Sequence, residues 1–248
     1  MTSKKDNNGL LKPTIQITLF SILGVIWGLL SQLTVAYFFG TTLERDAYFV
    51  AISVAIYISS IFVGSFGIIF LPKVVEVIKE EGKVAGAFIS TTILSVFIIL
   101  VLLMLFCIIF STQIIQIVAP GYSVSEMTFT IRLLIIVLPS IIFTVLSNML
   151  GSLYQIKHKF IRPAIAPILT TVVSLLFVVI LESKFGIISL AVGYLLGTIV
   201  STVFLLPILD SYDFKFSFDF KKANFISYIK VLMPLLLMGI VFRSTQVI

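Results

Sequence analysis

Seven long apolar runs, joined by loops whose positive charge alternates from one connection to the next, constrain this chain more than any motif it carries. A bilayer core takes about 20 apolar residues per crossing. The runs near 14–39, 47–71, 84–110, 127–155, 163–181, 186–209 and 230–248 each reach or approach that length. Hydrocarbon offers no partner to backbone N–H and C=O groups, and the runs are too long for barrel strands, so helices are predicted. The expected fold class is an all-α polytopic membrane protein. The composition, 59% hydrophobic and 11% charged, fits no soluble domain, where about 25% charged is usual.

Loop charge sets the expected orientation. With the first run starting in the cytoplasm, that side collects Lys4, Lys5 and Lys12, Lys73, Lys79 and Lys83, then Lys157, Lys159 and Arg162, and finally Lys215, Lys221, Lys222 and Lys230. The opposite side holds Arg45 and Lys184, while Arg132 and Arg243 sit inside apolar runs. Lys and Arg near short loops mark the cytoplasmic face, so the N-terminus of this multi-pass membrane protein is predicted to be cytoplasmic. The net charge of +6 then meets anionic lipid headgroups, and no nucleic-acid partner is expected. The first run is too long for a signal-peptide core and has no small-x-small cleavage site before Gly40, so it stays as a helix. The single Cys107 allows no internal disulfide, and with His158 the lone histidine no metal or cofactor is expected.

The layout that follows is a cytoplasmic N-terminus over 1–13, a six-helix transmembrane lobe over 14–209, an interfacial linker over 210–229 and a last helix over 230–248. Lys73–Lys83 mixes charge with Val and Ile at helical spacing, as an extension along the cytoplasmic surface would. Residues 111–126 carry no Lys or Arg and include an outer turn at Ala119-Pro120-Gly121-Tyr122. In the linker, Phe214, Phe216, Phe218 and Phe220 alternate with polar residues, which predicts an extended stretch in the headgroup layer, or a lateral gate or partner-binding edge. The last run starts at Lys230, carries Pro234 and Arg243 and stops at Ile248 with no polar tail, so the chain reads as a fragment of something larger.

Polar groups at membrane depth are the functional candidates, because a charge at a helix centre costs roughly 2.5–3.5 kcal/mol. Asp46 opens the second helix beside Glu44 and Arg45, either as a cap on its first-turn amides or as a gate. Arg132, with Glu126 six residues before it, either snorkels to the outer interface or faces a cavity. Arg243 lies 13 residues past Lys230, roughly 20 Å along a helix, and is followed by Ser244, Thr245 and Gln246. Milder candidates are Ser31 and Gln32, then Ser59, Ser60 and Ser65, and Asn148. The pairs Gly24/Gly28 and Gly193/Gly197 read as helix-packing positions. No enzyme is expected: His158 falls in a basic loop, and no two carboxylates share a membrane helix.

Several strings in order resemble the MurJ (MviN) lipid II flippase family. Phe39-Gly40 followed by Asp46-Ala47-Tyr48-Phe49-Val50-Ala51 is similar to the stretch joining that family's first two helices. Phe70-Leu71-Pro72 resembles the end of its second helix, and Ala119-Pro120-Gly121-Tyr122 its outer turn. Lys159-Phe160 with Pro163-Ala164-Ile165-Ala166-Pro167 resembles its link between helices four and five. Phe218-Asp219 and Lys230 to Pro234 are similar to its linker and the start of helix seven.

The resemblance implies a two-lobed exporter fold, of which this chain would be the six-helix N-terminal lobe plus the first helix of the second. It implies alternating access that carries an undecaprenyl-linked oligosaccharide, lipid II or similar, outward. Implied partners are that lipid-linked oligosaccharide, membrane lipids, and a C-terminal lobe or a second copy to complete the path. Substrate binding would fall to Arg243, Arg132, Gln32 and Asn148, and outer gating or ion coupling to Asp46, which matches the family's acidic position. The family's cavity arginines in helices one and two have no counterpart in Gly24–Ser31 or Tyr57–Ser60, and its helix-four arginine lies near Ile135 rather than at Arg132. The alternatives are therefore a flippase for O-antigen or capsule units, a cation-coupled drug exporter, or a non-transporting scaffold of a cell-wall complex.

Overall fold

The computed structural model describes residues 7–81, 85–212 and 214. Eight α-helices run through them: α1 Asn7–Phe39, α2 Leu43–Glu81, α3 Ala85–Ile109, α4 Ser111–Val118, α5 Val124–Val137, α6 Ser140–Ile156, α7 Ile161–Phe185 and α8 Ile188–Leu205, closed by a 3-10 segment at Leu206–Tyr212. Six stretches are long and apolar enough to cross a membrane: Thr18–Phe39, Leu43–Gly64, Gly86–Ile109, Val124–Ile156, Ile161–Phe185 and Ile188–Tyr212. The protein is an all-helical, multi-pass membrane protein over the described residues. The predicted seventh run at 230–248, and with it Arg243, lies outside them, as does nearly all of the 210–229 linker.

The chain shuttles between two ends of the bundle. The near end carries the start of α1, the end of α2, the start of α3, residues 157–160 and the 3-10 segment. The far end carries residues 40–42, α4 with the turn after it, and Gly186. Glycine makes two of the far-end reversals, because Gly40 and Gly186 both hold φ +53, a left-handed conformation that a Cβ would strain.

The helices depart from the predicted runs in four places. α2 begins four residues before the predicted 47 and passes through Pro72 to Glu81, so the Lys73–Lys83 extension is a continuation of the same helix as far as it is described. At 39 residues it is roughly 58 Å long, well beyond the ~30 Å hydrocarbon core. Its protruding end carries a Lys73–Glu76 ion pair at 2.8 Å.

The fourth run, expected as one helix over 127–155, breaks between α5 and α6. Pro139 has no N–H to give the preceding turn and its ring crowds the carbonyl four residues back. The chain answers with short-range bonds, Ile141 N–H to Leu138 O at 3.1 Å and Ile142 N–H to Pro139 O at 3.1 Å. The third departure is α4, inside a stretch read as an outer loop. It buries Ser111 and Ile115 against the bundle. Last, Gly24 and Gly28, read as packing positions, have none of the described residues within 4 Å of the place where a Cβ would stand.

α5 and α6 form the centre: Leu133, Leu134, Val137, Leu138, Ile141, Val145 and Leu153 are essentially inaccessible. Around them α7 and α8 pair most closely, through the glycines of α8. A Cβ on Gly193 would stand 2.8 Å from Phe177 Cβ and 2.9 Å from the Ser174 carbonyl oxygen. Gly197 fits against the Thr170 backbone, and Thr170 Oγ1 donates to its carbonyl at 3.3 Å. Thr202 Oγ1 ties α8 to α6 through the Phe143 carbonyl at 2.9 Å. α1 is the outlier. It packs on α7, and only 6% of its apolar window is buried.

Candidate functional site

Hydroxyl groups gather where α6, α7 and α8 converge. Thr144, Ser147 and Asn148 stand one turn apart on α6, and Tyr194, Thr198 and Ser201 repeat that spacing on α8, so each set shares a helix face. Thr170 and Pro167 of α7 complete a pocket of about 280 Å³. Pro167 belongs here for a physical reason: a proline inside a helix leaves a carbonyl of the preceding turn without its amide. Nearby hydroxyls turn back on the helix, Thr171 Oγ1 donating to Pro167 O at 3.2 Å and Thr170 Oγ1 to Ala166 O at 3.5 Å.

Asn148 spends its Nδ2 on the Thr144 carbonyl at 2.9 Å, and its side chain is exposed at the pocket. Ser147 and Ser201 approach to 3.4 Å across the α6–α8 seam. Among the described residues the lining holds no carboxylate and no cation. A wall of neutral donors and acceptors can satisfy the hydroxyls of a sugar, whereas a phosphate clamp needs charged donors.

The far end holds the acidic candidates. Thr42 is the cap of α2, its Oγ1 accepting from Arg45 N–H at 3.3 Å. Asp46 is thus not the cap residue: it closes the first turn of α2, exposed, with its own N–H bonded to the Thr42 carbonyl at 3.2 Å. Arg45 folds back over the reversal: its Nη1 donates to Gly40 O at 2.6 Å and its guanidinium carbon lies 5.3 Å from the Phe49 ring centroid. Its Nε is buried with no hydrogen-bond partner among the described residues.

Glu126 is occupied in a capping box. Its Oε2 accepts from Ser123 N–H at 2.8 Å and from Ser123 Oγ at 2.7 Å, and Ser123 Oγ accepts from Glu126 N–H at 3.4 Å. Tyr122 stands beside both acids. Burial, then the Asp46 and Glu126 carboxylates, raise its hydroxyl above the ordinary tyrosine range.

The site residues expected from sequence thus spread over the lobe. Asn148 alone lines the hydroxyl pocket; Asp46 is at the far end with Tyr122. Arg132 and Gln32 are exposed on α5 and α1, and Arg243 lies outside the described residues. Sequence reading passed over Thr144, Ser147, Thr170, Tyr194, Thr198 and Ser201. The signal available was hydroxyls at helical spacing in two separate runs.

The family model "Lipid II flippase MurJ" matches residues 35–248. The probable lipid II flippase MurJ of Buchnera aphidicola subsp. Baizongia pistaciae (strain Bp) is 31% identical over 163 residues, which are 64% of this chain and 32% of that protein. The lipid II flippase MurJ of Thermosipho africanus (strain TCF52B) is 30% identical over 146 residues, 58% of this chain and 30% of that one. The chain thus spans about a third of the length of the curated relatives it matches. A solved structure of lipid II flippase MurJ in an inward closed conformation superposes with a TM-score of 0.78 at 26% identity, covering 92% of this chain and 48% of that chain. The Vibrio cholerae MATE transporter VcmN in its bent form shares the fold, with a TM-score of 0.70 at 14% identity over 97% of this chain and 56% of that one.

Proposed function

The chain belongs to the MurJ lipid II flippase family, and on that premise we propose that it serves outward movement of an undecaprenyl-linked oligosaccharide by alternating access, as one lobe of a two-lobed path. The observation that carries this reading is the superposition of nearly the whole chain on about half of a lipid II flippase. The isolation of α1 supports it. A membrane helix with so little of its surface covered by its own bundle suits a seam between lobes, with Gln32 toward the path. A second lobe or a second copy of the chain closes that path.

In this reading no covalent bond is made or broken. The hydroxyl pocket, with Asn148 at its wall, takes the sugar; Arg132 and Arg243 draw the anionic pyrophosphate. Asp46 acts at the outer gate or in ion coupling, and the near end, with its lysines, faces the cytoplasm. Because Gly24–Ser31 and Tyr57–Ser60 hold no arginine and the described residues lining the pocket include no cation, a related lipid-linked glycan, such as an O-antigen or capsule unit, is the second reading.

Cells depleted of their own lipid II flippase test both. The gene encoding this chain restores lipid II at the outer face, measured by its accessibility to an externally added lipid II-cleaving toxin. Protein that reaches the membrane with its path completed by a second lobe or a second copy, without restoring accessibility, contradicts the lipid II reading. Rescue of an O-unit flippase mutant instead assigns the second.

A further inference from the structure

The near end of the bundle holds another cavity, of about 650 Å³, in which the proposed transport path has no part. His158 and Lys159 reach it from the α6–α7 connection, Arg162 from the first turn of α7 and Ser211 from the 3-10 segment, with Tyr154 behind them. Among the described residues no Asp or Glu lines it.

The backbone puts Lys159 and Arg162 together. α6 closes with Lys159 N–H on the Tyr154 carbonyl at 3.0 Å and His158 N–H on the Gln155 carbonyl at 2.9 Å. Those two bonds are a Schellman closure. His158 occupies its left-handed position at φ 56, where glycine is usual. The reversal returns the chain so that Lys159 and Arg162 border the same space.

Among the described residues Arg162 has one hydrogen-bond partner. Its Nη1 donates to Tyr154 Oη at 2.8 Å, and its guanidinium carbon lies 5.8 Å from the ring centroids of both Tyr154 and Phe204. A guanidinium has five N–H donors, so most of the fork remains for a ligand. Among the described residues the one ion pair is Lys73–Glu76, so no carboxylate there neutralises Lys159 or Arg162. Asp210, next to Ser211 in sequence, is exposed and not among the lining residues. Clustered cations without an acid repel one another, and an anion relieves that repulsion.

We propose that this cavity binds a phosphate-bearing headgroup. The Arg162 fork pairs with two phosphate oxygens, Lys159 supplies a point charge, and the Ser211 hydroxyl is a further donor. α7 adds its positive end, since its N-cap residue Phe160 makes no side-chain cap. The phosphate can belong to a membrane lipid or be a free ion; the chemistry is the same. The inference goes beyond the flippase reading, and binding can be measured where nothing is transported.

The test is native mass spectrometry of the full chain in maltoside micelles. The probes are short-chain phosphatidylglycerol, undecaprenyl phosphate and inorganic phosphate, with diacylglycerol as the uncharged control. Lys159→Gln weakens phosphate-probe binding about tenfold, the loss of one charge-assisted contact. Arg162→Lys, which keeps the charge and loses the fork, also weakens it. Tighter binding of the two lipids than of inorganic phosphate assigns a lipid headgroup, and equal binding assigns a free anion; either supports the site. Diacylglycerol binding as tightly as the phosphate probes overturns it, as does unchanged affinity in Lys159→Gln. Lys159 is exposed, so that variant decides the matter even if Arg162→Lys does not fold.

Discussion

Gly197 of α8 lies so close to Thr170 of α7 that a Cβ on the glycine would collide with the Thr170 carbonyl oxygen, while Thr170 Oγ1 donates 3.3 Å to the Gly197 carbonyl. Two backbones meet here with nothing between them. Small residues serve membrane helices in this way because lipid supplies no hydrophobic drive to bring the helices together.

Gly197→Ala is therefore expected to force α7 and α8 apart and cost about 1–3 kcal/mol, the usual range for overpacking. Gly28→Ala is the matched control. None of the described residues stands within 4 Å of its Cβ position, and alanine in a helix is favoured by roughly 1 kcal/mol over glycine. Thermal unfolding in detergent should show the first variant melting lower than the parent and the second at or above it. Equal melting of the two variants contradicts the packing account.

The left-handed backbone at His158 gives a prediction of opposite sign. A residue with a Cβ costs about 1 kcal/mol there, and glycine does not. His158→Gly should raise the stability of the α6–α7 connection, read as slower hydrogen exchange at Lys159 and His158 position amides. Faster exchange would show that the side chain, rather than the backbone turn, holds the connection.

Tyr122 carries the pH dependence. Its hydroxyl is raised by burial first and by the Asp46 and Glu126 carboxylates after that. The folded state therefore keeps this proton to higher pH than the unfolded chain, whose tyrosines titrate near 10. Below that pH both states hold the proton and stability is unaffected. Above it the unfolded state loses its proton first, so stability falls as pH rises. Asp46→Asn should bring the Tyr122 titration down toward the ordinary value, followed as the ultraviolet phenolate difference between protein with and without Tyr122→Phe. No change on neutralising Asp46 would mean the two groups are not neighbours.

Much of this architecture was legible in apolar run length, because lipid leaves the backbone one economical arrangement over such runs. What escaped has physical causes. The first turn of α2, Leu43-Glu44-Arg45-Asp46, is mostly polar, so an apolar-run criterion started the helix late and made Asp46 look like the cap that Thr42 provides. α4 is eight residues long, too short to be stable alone, and forms because Ile115 is buried in the bundle. Pro139 can kink or break a helix, yet nothing local says which happens there.

The two cavities escaped for another reason. Thr144, Thr170 and Thr198 are unremarkable within their own helices and become a polar site only once three helices converge. Arg162 reads as a topology-setting cation until the fold brings it beside the Tyr154 and Phe204 rings. The alternation from Phe214 to Phe220 remains a sequence expectation beyond Phe214, which packs against the core.

The central claim is that this lobe belongs to a machine that moves a lipid-linked oligosaccharide. The most direct measurement uses proteoliposomes carrying the protein and fluorescent lipid II, with a membrane-impermeant reductant bleaching whatever reaches the outer leaflet. The account predicts bleaching beyond the outer-leaflet fraction when the path is complete, slowed by Asn148→Ala in the hydroxyl pocket and by Asp46→Asn at the far end. Bleaching that stops at the outer-leaflet fraction, in protein that is folded and inserted, would contradict it.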